Sequence, residues 1–419
     1  MKFMHIADIH LGYQQYSLKE RFNDFSKTFL HLADKAVEEN VDFVLLAGDL
    51  FHKRKVEPLS MRVAMAGLEK LKKAEIPVLA VEGNHEKPFY QDQLSWMDFL
   101  DVTGYLRLLN PRFESGEAIL DPHGDQGGAY VDLPGGVRIY GMKYYGASTS
   151  KAIASFSESL AALDHSKVKY AILMLHAGLE GQLAHSGRLK NNDLAPLRKK
   201  IDYIALGHIH KPYEVDDWIY NPGSPETCSM EEVTWPECGY YLVEITPDAE
   251  KKHQAKLHAA ERRPFHRFRL DVDAMKSPND IYDAVEELIA KKGKNLDPKK
   301  NPVVELTLGG IIPFNRYELD LEYIKSLLEK AWSPLTARVR SKITPADFEI
   351  TVDRESSRSE LEREVIRELL ERDNRYREKA EEWVTGAVEL KRLVQEENAP
   401  EVIVEHLVQL QRELAGEEN

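Results

Sequence analysis

Metal-binding side chains follow five apolar runs of this 419-residue sequence, each at the point where a predicted strand ends. They stand in Asp8-Ile9-His10, Gly48-Asp49, Gly83-Asn84-His85, His176 and Gly207-His208-Ile209-His210. A donor set of carboxylate, imidazole and amide groups without thiolate suits Mn²⁺ or Fe²⁺, with Zn²⁺ as a further choice. The same set excludes an iron–sulfur cluster and disfavours Ca²⁺, which rarely takes imidazole. The sequence therefore predicts a transition-metal site.

Seven of these side chains match the needs of a two-metal phosphoesterase. Such a site holds two cations about 3.5–4 Å apart, which clamp the attacking and leaving oxygens of a phosphate ester. If Asp49 bridges the ions, each has four protein ligands and keeps positions for hydroxide and a phosphate oxygen. The ions lower the pKa of the bridging water and stabilise charge on the phosphoryl oxygens. The predicted ligands are Asp8, His10, Asp49, Asn84, His176, His208 and His210.

Two further histidines are not needed as ligands and could act on the substrate. His85 follows the predicted ligand Asn84, so it is the natural candidate to contact the phosphate or protonate the leaving group. His52 stands three residues after Asp49 and could do the same from the other side. Both histidines are therefore predicted to be catalytic.

Each segment alone has an ordinary structural explanation. An isolated Asp-x-His is more often a capped turn at a strand end, and a lone His176 is more often a hydrogen-bonded core histidine. His208 and His210 would point to opposite faces of an extended strand unless the chain turns between them. The combination of five strand ends with ligand types is what favours a metal centre.

Alternating strands and helices are predicted to position these residues within the first 260 residues. Apolar side chains recur with helical period from Leu18 to Glu39, and shorter helices are predicted at 59–73 and 91–100. Pro134-Gly135-Gly136 predicts the turn of a hairpin over 127–141. Because the carboxyl ends of parallel strands lie side by side in a sheet, this rhythm can bring distant ligands together.

Two shorter regions complete the predicted organisation, an α+β domain at 261–352 and a helical segment at 353–419. The α+β domain includes a helix predicted to run from Ser277 to Lys292. In the helical segment, Pro400 suits the first turn of a new helix. The segment carries two apolar stripes, Leu361, Val365 and Leu369, then Ile403, Leu407, Leu410 and Leu414.

Composition is that of an ordinary globular protein, with 42% apolar and 30% charged residues. No run of eighteen apolar residues exists, and Asp8 and His10 stand where a signal peptide needs its apolar region. Cys228 and Cys238 form no CxxC pair, so we expect a protein of the reducing cytoplasm. The net charge of −14 weakens the case for nucleic acid without excluding it, because bound cations reverse the local sign.

The five segments, in this order, resemble the motifs of the calcineurin-like metallophosphoesterase superfamily, D-x-H, G-D, G-N-H-[DE], H and G-H-x-H. More narrowly, the sequence resembles the SbcD-type DNA repair nucleases, the bacterial and archaeal form of the meiotic recombination eleven family. The stretches that carry this resemblance are IADIHLGY, LLAGDLFH, VEGNHE, LHAGL, ALGHIHKPY and YNPGSPE. They cover residues 1 to about 225, and the general layout covers the rest more loosely.

The resemblance implies a fold, an assignment of the ligands to two metal ions, and an activity. The fold is an α/β protein with a calcineurin-like β-sandwich flanked by helices, a small α+β capping domain and a helical C-terminal tail. One Mn²⁺ would be held by Asp8, His10, Asp49 and His210, and the other by Asp49, Asn84, His176 and His208. His85 and His52 would be catalytic without binding metal. The implied activity is that of a 3′-to-5′ exonuclease on duplex DNA and an endonuclease on single strands and hairpins.

The resemblance also implies partners. The protein would be a nucleoid-associated homodimer that processes double-strand breaks with an SbcC-type, SMC-like ATPase. The capping domain would bind the DNA backbone, and the two apolar stripes of the tail would dock the ATPase. The helices near 59–71 and 91–100 would form the dimer interface. The basic residues predicted to contact phosphate are Lys53, Arg54, Lys55, Arg262, Arg263, Arg267, Arg269, Lys291, Lys292 and Lys294.

One residue departs from the narrower family, because Glu86 follows G-N-H where Asp is usual. Glu86 is not a predicted ligand, but it leaves room for a phosphomonoesterase or cyclic-nucleotide phosphodiesterase on the same site. A non-catalytic scaffold at DNA ends is a third hypothesis. The additional domain and tail argue against a small-molecule phosphatase, and the full ligand set with His85 argues against a scaffold.

Overall fold

The computed structural model describes residues 1–88, 94–125, 127–183, 189–235, 237–273, 275–293, 296–346, 358–371, 376, 379–395 and 400–415. The chain divides into two compact units, one of residues 1–266 with 299–303 and the other of residues 267–298 with 304–419. The predicted domain boundaries at 260 and 352 stay a prediction.

The first unit contains two large sheets and their covering helices. Its strands β1 to β14 are Lys2–Ile6, Phe43–Leu46, Val78–Ala80, Arg107–Leu108, Arg112–Glu114, Glu117–Ile119, Tyr130–Leu133, Val137–Met142, Tyr170–His176, Tyr203–Gly207, Tyr213–Val215, Ile219–Asn221, Gly239–Ile245 and His253–Ala259. Its helices α1 to α5 are Lys19–Glu38, Pro58–Lys73, Trp96–Val102, Thr149–Ala162 and Asn191–Leu194. In the described residues, β14-β13-β1-β2-β3-β4 and β11-β12-β10-β9-β8-β7 each form a six-stranded sheet.

The two sheets face each other across an apolar core. Phe3 and Phe43 of the first sheet belong to the same buried cluster as Ile172 and Met174 of the second. Helices α1, α2 and α3 bury their apolar stripes against the outer face of the first sheet, and α4 covers the second. This burial of apolar surface on both sides of each sheet stabilises the four layers. The predicted sandwich flanked by helices is confirmed.

The strands that precede the predicted ligands come from both sheets. Strands β1, β2 and β3 are parallel neighbours in the first sheet, and β9 and β10 are parallel neighbours in the second. Their registers align the carboxyl ends, since Ile6 pairs with Leu46 and His176 with Gly207. The side-by-side arrangement expected of parallel strands is therefore present, but it is divided between two stacked sheets.

The short helix α3 begins later than the sequence pattern predicts. The Ser95 Oγ accepts a hydrogen bond from the Asp98 backbone N–H at 3.1 Å, and the Asp98 carboxylate accepts one from Ser95 N–H at 2.8 Å. This capping box fixes the first turn at Trp96 rather than near residue 91. Residues 91–93 of the predicted helix lie outside the described residues.

The second unit has a smaller sheet, followed by helices. Strands β15, Phe265–Asp271, β16, Val303–Ile312, and β17, Thr336–Pro345, form a sheet in the order β15-β16-β17. Helices α6, Pro278–Lys292, and α7, Leu321–Trp332, pack on one face of it through a shared apolar cluster. The later helices are α8, Arg358–Glu371, α9, Ala380–Gln395, and α10, Pro400–Ala415. Helix α10 begins at Pro400, as predicted. Among the described helices, none combines the length and apolarity needed to cross a bilayer.

Candidate metal centre

The turns after the ligand-bearing strands use an uncommon backbone conformation. Asp8, His10, Asp49 and His208 have φ values of 54°, 52°, 54° and 88°. Residues other than glycine rarely adopt this left-handed region, and strain of this kind concentrates at functional sites. A sharp turn at each strand end lets neighbouring side chains converge instead of alternating between faces. This explains how His208 and His210 escape the alternation of an extended strand.

Two glycines of these turns permit close approach between the segments. A Cβ at Gly83 would lie 2.0 Å from the Asp49 Oδ1, and a Cβ at Gly48 would lie 2.3 Å from the His176 Nδ1. Gly48 also has a φ of 89°, which favours glycine. The G-D and G-N-H motifs therefore need their glycines for packing around the ligands.

The seven predicted ligands meet at one edge of the sandwich in two groups. In the first group, the His10 Nε2 lies 3.0 Å from the His210 Nε2. In the second group, the Asn84 Oδ1 lies 3.2 Å from the His176 Nε2 and 2.8 Å from the His208 Nδ1. The assignment of these ligands to two separate ions stays a prediction.

Asp49 lies between the two groups. Its Oδ2 is 4.0 Å from the His10 Nε2 and 3.4 Å from the His176 Nε2. Ligand atoms of Asp8, His10 and Asp49 all lie within 4.8 Å of one another, and the Asp8 carboxylate accepts the His208 backbone N–H at 3.0 Å. Asp49 thus stands where a bridging carboxylate is expected.

Burial and charge at this edge fit divalent cations. Asp8 and Asp49 are only 0% and 2% exposed. Buried carboxylates need a compensating positive charge, and the surrounding imidazoles supply it only when protonated. The His10 Nδ1 is buried and has no hydrogen-bond partner among the described residues. The donor set of carboxylates, imidazoles and one amide therefore suits a dinuclear metal centre.

The electrostatics of the cluster favour neutral imidazoles at two ligands. Burial lowers the pKa of His208 to about 4, and it also lowers the pKa of His10. Burial alone would lower the pKa of His176 as well, but the adjacent Asp49 outweighs it and the value is about 9. Imidazole ligates metals in its neutral form, so His10 and His208 need not lose a proton first.

Two predicted ligands are oriented by acceptors behind them. The His176 Nδ1–H donates to the Ala47 carbonyl at 2.7 Å, and the His210 Nδ1–H donates to the Glu232 carboxylate at 2.9 Å. Each of these bonds leaves Nε2 directed at the centre. Glu232 is buried, and the sequence reasoning missed it because nothing distinguishes it locally from the adjacent Glu231.

Glu86 ties two of the turns together. Its carboxylate accepts backbone N–H groups from Asp49 at 3.1 Å, Phe51 at 3.0 Å and Gly83 at 2.8 Å. Burial, together with the Asp49 carboxylate, raises the pKa of Glu86 to about 8. Glu86 is therefore a positioning residue that connects the G-D and G-N-H segments.

His85 stands at the open side of the cluster. Its Nδ1–H donates to the His52 carbonyl at 2.6 Å, and its backbone N–H donates to the Asp49 Oδ1 at 3.0 Å. The His85 Nε2 lies 3.9 Å from the Asp49 Oδ2, and the side chain is 33% exposed. The free ring nitrogen is thus held beside the predicted bridging ligand and open to solvent.

His52 is held by aromatic packing. The Tyr13 ring stacks on it with centroids 3.9 Å apart, and the His85 ring stacks on it at 5.3 Å. Burial, followed by the effect of His85, lowers the pKa of His52 to about 4. Tyr13 follows the first ligand motif by three residues, but its role depends on a contact that the sequence alone does not specify.

The basic residues predicted to contact phosphate have different surroundings. Lys53, Arg54 and Lys55 are exposed in the turn after His52. Arg263 makes a bidentate pair with Asp24 at 2.6 and 2.8 Å, and it also donates to backbone carbonyls, so its guanidinium has little remaining capacity.

The remaining predicted phosphate contacts are Arg262 in the first unit and residues of the second unit. Arg267 and Arg269 lie on the sheet face opposite the helices, with the Arg267 Nε 3.4 Å from the buried Glu305 carboxylate. The sequence reasoning missed Arg340, whose Nε is 2.8 Å from the same carboxylate. Lys291 and Lys292 end α6. The Arg262 Nη1 is buried without a hydrogen-bond partner among the described residues, and Lys294 lies outside those residues.

The two apolar stripes of the tail lie on α8 and α10. Val365 and Ile403 are half-buried, whereas Leu369 and Leu407 are 52% and 40% exposed. The side chains of Leu361, Leu410 and Leu414 lie outside the described part of the chain. The exposed leucines leave apolar surface on both helices.

Comparison with known proteins extends these observations. The profile of the calcineurin-like phosphoesterases matches residues 1–212. The chain is 36% identical over 246 residues to the DNA double-strand break repair protein Mre11 of Archaeoglobus fulgidus, covering 56% of this chain and 52% of that protein. It is 30% identical over 315 residues to the protein of the same name from Methanococcus maripaludis, covering 73% and 77%. The chain thus spans about half the length of the first relative and about three quarters of the second.

Proposed function

The chain belongs to the Mre11 group of the calcineurin-like phosphoesterase family, and from this premise we propose that it is a metal-dependent nuclease of DNA double-strand break repair. The observation that carries the proposal is the convergence of the other six predicted ligands around Asp49, with the His85 Nε2 only 3.9 Å from that carboxylate. A bound phosphodiester would meet the metal ligands and this imidazole together.

In phosphodiester hydrolysis, some protein residues would bind the metal ions and another would donate a proton. Asp49 would bridge two Mn²⁺ ions, with Asp8, His10 and His210 on one side and Asn84, His176 and His208 on the other. When bound, the ions supply a hydroxide at neutral pH and stabilise charge on the phosphoryl oxygens. His85 would hold a proton on Nε2 and donate it to the leaving oxygen. The His52 carbonyl fixes the His85 ring for that transfer, because it accepts the proton of Nδ1.

The substrate we propose is DNA, cut as duplex from 3′ ends and as single strands or hairpins internally. Lys53, Arg54 and Lys55 are placed to attract the backbone, because they are exposed directly after His52. Basic side chains without interleaved aromatic rings favour binding that is independent of sequence. A cytoplasmic, nucleoid-associated location follows from this substrate.

The proposed dimer uses the exposed apolar face of α3. Trp96, Phe99 and Val102 are 41%, 40% and 78% exposed, and their spacing places them on one side of the helix. An apolar face of this kind suits burial against a second copy. The double substitution Phe99→Lys and Val102→Lys should convert a dimer to a monomer in light scattering. A wild-type monomer at micromolar concentration would contradict the dimer.

The helical tail is proposed to dock an SbcC-type, SMC-like ATPase. The exposed Leu369 and Leu407 offer apolar surface for a partner groove. Deleting residues 355–419 should leave metal binding intact and abolish co-purification with the ATPase. Unchanged co-purification would eliminate this assignment.

The central test compares DNA with a small phosphodiester. The full chain is incubated with labelled linear duplex and hairpin DNA, and separately with bis-p-nitrophenyl phosphate, with Mn²⁺ or with EDTA. We expect cleavage of DNA in Mn²⁺ alone. His85→Ala should lower the rate by about 10²–10³-fold with metal content unchanged, whereas His31→Ala on α1 should have no effect.

Two results would contradict the nuclease assignment. Turnover of the small ester without DNA cleavage would favour a general phosphoesterase on the same centre. DNA binding without hydrolysis of either substrate would favour a scaffold at DNA ends. The additional unit and helical tail speak against the phosphoesterase, since a small substrate needs neither.

A further inference from the structure

A thiol stands beside two of the predicted metal ligands. Ligand atoms of His10, His210 and Cys228 all lie within 4.8 Å of one another. The His10 Nε2 lies 3.0 Å from the His210 Nε2. Cys228 therefore adds a sulfur donor to one half of the candidate centre.

The loop that carries Cys228 is fixed to the same centre. The Glu232 carboxylate accepts the Cys228 backbone N–H at 2.8 Å and the His210 Nδ1–H at 2.9 Å. The Ser224 Oγ lies 3.4 Å from the Cys228 Sγ and donates to the Asp8 carbonyl at 2.8 Å. The Glu232 carboxylate thus positions both the Cys228 backbone and the His210 imidazole. The Ser224 hydroxyl connects their loop to the segment that contains Asp8.

The thiol also contacts one of the two imidazoles directly. The Cys228 side chain is hydrogen-bonded to the His210 imidazole. A thiol and an imidazole in contact are a pair of donors that zinc sites use. Cys238 differs, because its thiol donates to the His210 carbonyl at 3.4 Å and does not join the donor cluster.

We propose that Cys228 is a further ligand of the ion held by His10 and His210, and that it raises the affinity of this half of the centre for thiophilic ions such as Zn²⁺. The proposal rests on the dinuclear centre of the proposed function. Two imidazoles and a thiolate form a donor set that Zn²⁺ prefers, whereas Mn²⁺ prefers oxygen donors. The sulfur–metal bond forms as the thiol proton passes to solvent, with no change of oxidation state.

The geometry requires only a small adjustment. With Zn–N bonds of about 2.0–2.1 Å and a Zn–S bond of about 2.3 Å, a zinc ion separates neighbouring nitrogen and sulfur ligands by about 3.1–3.6 Å. Donor atoms already within 4.8 Å reach that separation by small side-chain rotations. The other half of the centre, with Asn84, His176 and His208, has no thiol among the described residues and keeps an oxygen and nitrogen donor set. The two halves would therefore differ in metal preference.

Cadmium titration of the metal-free full chain tests the sulfur ligand directly. Cd²⁺ bound to thiolate gives an ultraviolet charge-transfer band that needs no catalytic activity. We expect this band in the wild type and in Cys238→Ser, and its loss in both Cys228→Ser and Cys228→Ala. Competition with a chromophoric chelator should show Zn²⁺ affinity lowered by about tenfold or more in Cys228→Ser, with Mn²⁺ affinity changed less than about twofold.

The outcomes separate this proposal from the proposed function. A band that persists in both Cys228 variants, or a wild type that binds Cd²⁺ without the band, overturns the thiolate ligand and leaves the nuclease centre standing. Equal losses of Zn²⁺ and Mn²⁺ affinity also overturn it, because they indicate a general structural defect. A wild type that binds no divalent ion overturns both proposals together.

Discussion

The first unit contains two clusters of buried charged residues. They differ in how completely their polar groups find partners within the protein. In the first, the fully buried Arg21 donates to Gln15 at 2.9 Å, Asp24 at 2.6 Å and Glu226 at 3.0 Å, and to the Thr227 carbonyl at 2.9 Å. A second guanidinium, from Arg263, pairs with Asp24. We call this set the Arg21 cluster. Its permanent positive charges face the carboxylates directly.

Within the described part of the chain, the ligand cluster has no such permanent partners. Asp8 and Asp49 are as deeply buried as Arg21, yet they face imidazoles instead of guanidinium or ammonium groups. The His10 Nδ1 also has no partner among the described residues. A polar cluster that is complete by itself stabilises a fold, whereas one that is incomplete requires something from outside the chain. The contrast favours a functional role for the ligand cluster and a structural role for the Arg21 cluster.

The two clusters share a loop. Glu226 accepts from Arg21, and Ser224, two residues earlier, donates its hydroxyl proton to the Asp8 carbonyl at 2.8 Å. The Arg21 cluster therefore holds the loop that supports the first ligand segment. Substitutions on either side of this loop should separate chemistry from stability.

The largest expected effect is the loss of catalysis in Asp49→Asn. Removing the bridging charge should lower Mn²⁺-dependent DNA cleavage by at least about 10³-fold. Mn²⁺ should raise the unfolding temperature of the wild type and not that of the variant, because an ion that binds the folded protein stabilises it. Cleavage assays and calorimetry on the same preparation measure both quantities. An equal Mn²⁺-dependent rise in Asp49→Asn would show that Asp49 is not a metal ligand.

Arg21→Met should show the opposite pattern. It leaves Glu226 buried without its charged partner, which destabilises a protein by about 3–5 kcal/mol. Urea unfolding measures the loss, and cleavage per folded molecule should stay close to that of the wild type. Arg112→Met is the matched control, because Arg112 forms only exposed ion pairs with Glu114 and Asp121. Equal stability of the two variants would contradict the assigned role of the Arg21 cluster.

The sequence alone predicts the ligand cluster better than the Arg21 cluster. Each ligand follows an apolar run and a turn, so its signal lies within a few neighbouring residues. Arg21 and Glu226 stand 205 residues apart, and neither has a local pattern that distinguishes it from a surface charge. Only the packing of α1 against the loop after β12 makes them partners. The sequence alone could not predict this long-range pairing of single charged residues.

The fold, like the two clusters, was predictable where local sequence patterns determine it and not where long-range contacts do. The helices α1 and α2 were predictable from apolar periodicity, whereas the sandwich was expected only from the family resemblance. The distribution of the ligand strands over two sheets was not derivable from strand patterns, which do not specify a partner strand. The position of Cys228 could not be predicted either. The sequence around it supported only the inference of a reducing compartment, whereas its place beside the ligands depends on the contact with Glu232.

The smallest expected effect concerns Glu232→Gln. Glu232 accepts from the His210 Nδ1–H and the Cys228 N–H, so it acts on the centre through other residues. Gln keeps the shape and one acceptor but loses the charge that strengthens imidazole as a ligand, and metal affinity should fall about tenfold. Glu231→Gln, on the exposed neighbour, should leave affinity unchanged. Isothermal titration with Zn²⁺ and Mn²⁺ distinguishes the two substitutions. If Glu232→Gln instead lowers stability as Arg21→Met does, the carboxylate belongs with the structural cluster, and the boundary between the two clusters moves to His210.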